Sequence, residues 1–264
     1  MHLIRLAKLL IAALSLMIGI TGCSLIPDQI DVTKNWSASK FYAEAKKSLS
    51  EGDYEEPIQI YEQLEARFPF GRYAQQSQME IAYAYYKYDE PDSALAAADR
   101  FIKLYPRHPN IDYMFYLKGL VNFNAGKDLL ARYLPQDPTQ RDPGTARAAF
   151  DDFGILIKKY PQSKYAKDSR QRMIFLRNNL GEYEVHVANY YMRRNAYLAA
   201  ANRAKYVVEN YQKTTAVPKA LALMARSYKI LGLQELSDDA LRVLKLNYPN
   251  NPEIAAIQSL PVPQ

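Results

Sequence analysis

The chain has one cysteine, three histidines and one tryptophan in 264 residues. A lone thiol, Cys23, excludes any disulfide within the chain, even in an oxidising compartment. The histidines are too few for a histidine-built metal centre. His186 follows Glu182 by four, a spacing that places both on one helix face, but zinc takes three or four ligands and that pair alone does not supply them. The HExxH signature, the glycine-rich phosphate loop and the Gly-x-Ser-x-Gly elbow are missing. No carboxylates stand out as a general acid and base. The expectation is a non-enzyme with no cofactor and no metal. Strand-like period-2 alternation is missing as well, and runs of Ala, Leu, Tyr, Lys and Glu favour helix almost throughout.

Long apolar runs are confined to Leu9–Ile20, too short to span a membrane. Arg5 and Lys8 precede the run and small residues close it, so residues 1–22 read as a secretory signal. The block Ile20-Thr21-Gly22-Cys23 resembles a bacterial lipobox. That resemblance implies acylation of Cys23, which becomes the first residue. Ser24, in place of Asp, then favours the outer membrane, and several acyl chains make a lasting anchor. Loss of Arg5 and Lys8 lowers the net charge from +6 to +4. An exported lipoprotein does not meet nucleic acid, so acidic partner surfaces are the better counterpart of this charge.

What the chain does contain is a recurring phrase, an aromatic followed by proline. It stands at Phe68-Pro69, Tyr105-Pro106, Tyr160-Pro161 and Tyr248-Pro249, and Tyr211-Gln212 is a fifth copy without the proline. Pro69 to Pro106 is 37 residues, Gln212 to Pro249 is 37 again, and the middle intervals of 55 and 51 are that period plus insertions of 18 and 14. Twelve residues before the marks stand Pro57, Ala94, Ala149, Ala200 and Ser237. Twelve before those stand Ala45, Ala82, Ala188 and Ala225, with Gly119 matching once the third repeat's insertion is skipped. Small residues in the middle of two helices let them approach closely, and proline stops the second. A fixed period with these marks predicts an all-α fold, a tetratricopeptide-repeat solenoid of five helix pairs with two insertions.

The expected organisation is a lipidated tether at 23–38, repeats one to three at 39–163, repeats four and five at 164–258, and a disordered tail at 259–264. The first insertion, 125–143, is proline-rich and reads as a surface loop with a short helix at 127–133. The second falls within 164–187 and reads as one long helix or an extended pair.

Tyrosine is abundant, at 22. Counting inner-face positions of each first helix from its small residue gives Tyr42, Lys46 and Leu49 in repeat one. Repeat two gives Met79, Tyr83, Tyr86 and Lys87, and repeat three gives Tyr113, Tyr116, Leu120 and Phe123. Aromatics with a polar tip suit a surface that is apolar yet wet, and the lysines suit a carboxylate. The same rings could also fill the space between repeats. In repeat four the positions are Val185, Asn189, Met192 and Arg193, with Arg194, Arg203 and Lys205 nearby. That patch is poorer in aromatics and richer in arginine, as for a folded acidic partner.

Four blocks carry a family resemblance: Phe68-Pro-Phe-Gly-Arg-Tyr73, Tyr83-Ala-Tyr-Tyr-Lys87, His108-Pro-Asn-Ile-Asp-Tyr113 and Arg141-Asp-Pro-Gly-Thr-Ala-Arg-Ala-Ala-Phe-Asp-Asp-Phe153. With the lipobox, they resemble the BamD family, five-repeat lipoproteins of the outer-membrane β-barrel assembly machinery. The resemblance implies a lipid-anchored protein on the periplasmic face of the outer membrane. It implies docking of the carboxy-terminal repeats on the POTRA region of BamA, with accessory outer-membrane lipoproteins as further partners. It implies recognition of the carboxy-terminal segments of unfolded β-barrel proteins by the amino-terminal repeats. Asn202-Arg203 matches an Asn-Arg pair of the family's fourth repeat, which assigns the BamA contact to Arg203. A rival reading without the family blocks is a repeat adaptor lipoprotein that docks a protease or a cell-wall enzyme.

Overall fold

Each repeat is built from local signals that recur at the same places. The structure, a computed structural model, describes residues 31–125, 137–140 and 142–261. Among them eleven α-helices and no strand are found. The five expected pairs are α1 (Ala38–Glu51) with α2 (Glu55–Arg67), α3 (Arg72–Lys87) with α4 (Pro91–Leu104), α5 (Ile111–Asn124) with α6 (Gly144–Lys159), α7 (Ala166–Arg193) with α8 (Tyr197–Asn210), and α9 (Ala216–Ile230) with α10 (Gln234–Asn247). A last helix, α11 (Glu253–Ser259), closes the chain.

The turn inside a pair needs one left-handed residue. Gly52, Asp89, Asn195 and Gly232 take it, with φ of 88°, 63°, 59° and 73°. Only Gly, and to a lesser degree Asn and Asp, adopt that region cheaply. The second helix of each pair ends on an aromatic: Phe68, Tyr105, Tyr160, Tyr211 and Tyr248. Each donates its backbone N–H to the carbonyl four residues earlier, at 2.8 Å. Proline after the aromatic disfavours helical backbone there, yet Tyr211 adopts a similar conformation before Gln212.

The small residues are where close approach requires them. Ala45, Ala82, Ala188 and Ala225 on the first helices, and Ala94, Ala149 and Ala200 on the second, are all fully buried. Gly119 is the extreme case, because a Cβ there would lie 2.4 Å from the buried ring of Phe153. Each helix packs on the next, and α1 also touches α3, α3 touches α5, and α7 touches α9. First helices therefore form one wall and second helices the outer layer.

Of the two readings of the second insertion the structure takes the one long helix, and it departs from the sequence expectation in two other places. The 14-residue insertion is not a separate pair. It lengthens the first helix of repeat four into the 28-residue α7, because no glycine turn or proline interrupts 166–193. Residues near the end of the expected tether are docked, not free. Thr33 is buried, its hydroxyl bonds Asp31 and Gln63, and Arg67 donates to the Thr33 carbonyl at 2.8 Å and to the Asp31 carboxylate. Residues 253–259 form α11, which the repeat period does not foresee. Ile257 buries itself against α9 and α10, and the buried Lys229 ammonium donates to the Ile257 and Gln258 carbonyls at 2.8 Å. The ammonium satisfies carbonyls that a helix end leaves without partners. The signal, Cys23, the helix expected at 127–133 and residues 262–264 lie outside the described residues.

Candidate functional site: an aromatic cleft

Met79 and Tyr83 on α3, Tyr113 on α5 and Tyr165, just before α7, converge on one cleft of about 600 Å³. Its polar rim includes Glu80, Asn110, Asp112, Ser163 and Lys164. The rings hold one another. Tyr165 stacks on Tyr116 with centroids 4.5 Å apart and planes 16° apart, and Tyr113 lies 5.6 Å away. Offset and tilted rings attract one another beyond their burial. Polar bonds then fix the wall. Ser163 donates to Asp112 at 2.6 Å, and the Tyr116 hydroxyl donates to Asp168 at 2.8 Å. Arg172 donates to the same carboxylate one turn along α7.

Burial and neighbouring acidic groups raise the Tyr113 and Tyr116 hydroxyls above their ordinary pKa. Both stay neutral donors at any physiological pH. Asp168 is pulled below the usual carboxylate range: burial opposes this, but Arg172 and Tyr116 more than offset it. The cleft therefore has apolar aromatic sides, fixed hydroxyls and both signs of charge at its edge. It can bury a ring and orient a charged terminus. Among the described residues no group of three or more His, Cys, Asp or Glu could hold a metal.

The expected wall is not one continuous surface. Tyr42 is half-buried between Tyr61 and Tyr73, and desolvation raises its pKa. Tyr86 accepts from the Asn124 amide at 2.6 Å. Phe123 lies against Phe153 and Phe175, with the Arg172 guanidinium 4.8 Å from its ring. Tyr83 and Tyr113 open on the cleft. The two lysines do not line it: Lys46 is ion-paired with Glu80, and Lys87 lies 5.5 Å from the Tyr54 ring at the far end of α3. The cation at the cleft is Lys164 instead. Lys164 and Tyr165 follow Pro161, in a connection that counting helix positions skips. Their only sequence signal is an aromatic beside a basic residue at the start of the long helix.

The carboxy-terminal repeats carry different chemistry. Glu184 on α7 is 1% exposed and accepts from Arg147 of α6 at 3.1 Å and Arg203 of α8 at 3.0 Å. Arg203 thus has a partner within the chain and keeps about half its surface. Arg193 and Arg194 end α7 and are exposed, with Arg194 5.8 Å from the Tyr190 ring. Glu182 and His186 diverge: Glu182 pairs with Lys219, while His186 meets the Thr139 hydroxyl at 2.8 Å. A smaller cleft of about 460 Å³ lies between Val185, Asn189, Leu223, Arg226 and Pro252.

A helical-pair solenoid with an aromatic cleft in one half and a buried carboxylate clamp in the other is the class of protein these features define. The family described as outer membrane lipoprotein, YfiO, matches residues 34–244, and the chain belongs to it. It is 44% identical over 248 residues to the outer membrane protein assembly factor BamD of Neisseria meningitidis serogroup B, covering 93% of each chain. The protein of the same name from Vibrio cholerae is 37% identical over 235 residues, 89% of this chain and 95% of the other.

Proposed function

We propose that this chain is a non-enzymatic scaffold and substrate receptor for outer-membrane protein assembly. It is lipid-anchored through Cys23 and faces the periplasm. The relatives named as assembly factors support the general role, and the cleft formed by Tyr83, Tyr113 and Tyr165 carries the finer reading. An unfolded β-barrel protein ends in an alternating segment with an aromatic and a free carboxylate. The ring is buried against the tyrosines, and the carboxylate lies by Lys164, where charge strengthens the bond. Tyr42, Tyr86, Tyr116 and Phe123 shape and support this wall. Lys46 and Lys87 are too far engaged elsewhere to be the first cations met.

The carboxy-terminal repeats dock on the POTRA region of BamA. Arg193 and Arg194 meet its acidic groups at the rim, and Arg203 does so while shared with Glu184. Accessory lipoproteins contact the remaining surface. The test is titration of a labelled peptide with an aromatic carboxy terminus against wild type, Tyr83→Ala and Lys164→Ala, with an amidated peptide as control. Loss of roughly tenfold or more for Tyr83→Ala, and equal affinity of acid and amide for Lys164→Ala, are the expected results. Unchanged binding by folded variants makes these tyrosines packing residues and favours the adaptor reading. Docking is read separately: Arg193→Glu with Arg194→Glu should reduce BamA co-purification and leave the melting temperature unchanged.

A further inference from the structure

Successive helices run in opposite directions, so their ends fall on two edges of the solenoid. Turns within pairs lie on one edge and junctions between pairs on the other. In the amino-terminal repeats the two edges carry opposite charge. Glu51, Asp53, Glu55 and Glu56 crowd the turn of repeat one, and Asp89, Glu90 and Asp92 that of repeat two. The junctions are basic. Arg72 stands at the first, Lys103 and Arg107 at the second, and Lys158, Lys159 and Lys167 at the third, all exposed. None of the six is ion-paired among the described residues. The acids beside them, Asp112 and Asp168, are already bonded by Ser163 and Arg172. Cations are favoured at the carboxy termini of helices, which accounts for Lys103, Lys158 and Lys159. Arg72 and Lys167 open α3 and α7, where the helix dipole disfavours them, so helix energetics do not explain the whole basic edge.

Apolar side chains share this edge. Phe70 is 89% exposed, the most of any large hydrophobic among the described residues, and Leu104 is 54% exposed. Exposed apolar groups beside unpaired cations suit a lipid interface, where rings enter the acyl boundary and long basic side chains reach the headgroups. The chain also enters the solenoid here. Arg67, at the first junction, holds the Asp31 carboxylate and the Thr33 carbonyl, and Val32 between them stays exposed. Asp31 is eight residues from Cys23, which an extended chain spans in at most about 30 Å.

We propose that the junction edge of repeats one to three lies on an anionic lipid surface, with Phe70 and Leu104 in the interface and the basic side chains on the headgroups. This rests on the lipid anchor proposed above and adds the orientation it imposes, with the acidic turn edge facing away from the membrane. An acidic protein would match the cations, but an anchor at Cys23 puts a lipid surface within reach of this edge. Asn110 and Lys164 of the aromatic cleft belong to the same junctions, so a segment held there lies beside the bilayer.

The test uses the full lipidated chain in phosphatidylethanolamine vesicles, with or without phosphatidylglycerol, and lipids brominated in their acyl chains as quenchers. Trp36→Phe removes the one tryptophan. An indole is then placed on the basic edge by Phe70→Trp or on the acidic edge by Tyr88→Trp. With phosphatidylglycerol present, the Phe70→Trp indole is expected to emit at shorter wavelength and to be quenched, and the Tyr88→Trp indole is not. Equal quenching of both overturns the proposal. So does an unquenched Phe70→Trp indole in a chain that floats with the vesicles, which leaves the edge to an acidic protein. The anchor is read separately, by titrating the unlipidated full chain carrying Cys23→Ser with the same vesicles. That chain should bind when phosphatidylglycerol is present, and Lys103→Glu with Lys158→Glu should weaken binding roughly tenfold or more. A wild-type chain without acyl groups sinks the anchor and leaves this second measurement standing. Equal binding by the charge-reversed chain, or equal binding without phosphatidylglycerol, overturns the anionic surface.

Discussion

Asp168 and Glu184 lie on the same helix, α7, and serve opposite halves of the molecule. Asp168 is two-fifths exposed and ties Arg172 and the Tyr116 hydroxyl to the back of an aromatic cleft. Glu184 is almost wholly buried and draws Arg147 and Arg203 over itself from two other helices. At the aromatic cleft, then, ring-on-ring contact fills the wall and charge trims its edge, whereas at Glu184, as at Lys118 between Asp99 and the buried Asp152, charge itself joins the helices. One backbone design carries both, because the fixed positions are the small residues and the turns, and the remaining inner-face positions are free to vary.

The largest break in that comparison should come from the two carboxylates. Glu184→Ala removes the shared acceptor of two charge-assisted hydrogen bonds and leaves a void at a buried site, and is expected to cost about 3 kcal/mol in chemical denaturation. Asp168→Ala removes a partly solvated pair and should cost at most about 1 kcal/mol. Equal losses would show that burial does not separate the two sites. The glycines give a second contrast. Gly119→Ala must displace the buried Phe153 ring and should cost about 2 kcal/mol net of its helix-propensity gain. Gly181→Ala meets the Ala216 Cβ at 3.0 Å, a clash small enough for that gain to roughly cancel it. Thermal melts of the two variants side by side decide whether repeat three is packed more tightly than repeat four.

At the end of the solenoid, Lys229→Met should cost about 1 kcal/mol through two carbonyls left without their donor. Hydrogen exchange should quicken at 253–259 and not in α9 or α10. If the whole carboxy-terminal half exchanges faster, α11 is part of its core and not a closing piece. The smallest effect is on pH. The Asp168 carboxyl is lower in the folded than in the unfolded chain, so its contribution is complete above the ordinary carboxylate pKa and fades as pH falls through its own. Asp168→Asn should therefore lower stability at neutral pH by at most about 1 kcal/mol and converge on wild type at low pH, flattening the acid limb of a stability profile. A loss that is the same at every pH would contradict this assignment.

The period of 37 and the small residues were readable because they answer a local demand, which is close approach of two helices and a stop. Asp89 and Asn195 could have been read as turn residues equivalent to Gly52 and Gly232, since they stand at the matching positions. The arginine-rich stretch of repeat four was visible too. Glu184, the group that organises it, was not, because one glutamate among exposed ones carries no mark of burial. The lysines were misplaced for a related reason. Position counting assigns a helix face, but Glu80 captures Lys46, and Lys87 projects past the end of the cleft towards Tyr54.

Sequence by itself determined that the chain is helical, that it repeats five times and where each pair ends, since these follow from propensity, spacing and proline chemistry acting within a few turns. Tertiary structure alone decided which tyrosines face a cavity and which fill a seam. It also decided that Lys164 and not Lys46 is the cation at the cleft. Those outcomes depend on side chains from three helices and a connecting turn meeting in space, and no period along the chain encodes the distances between them.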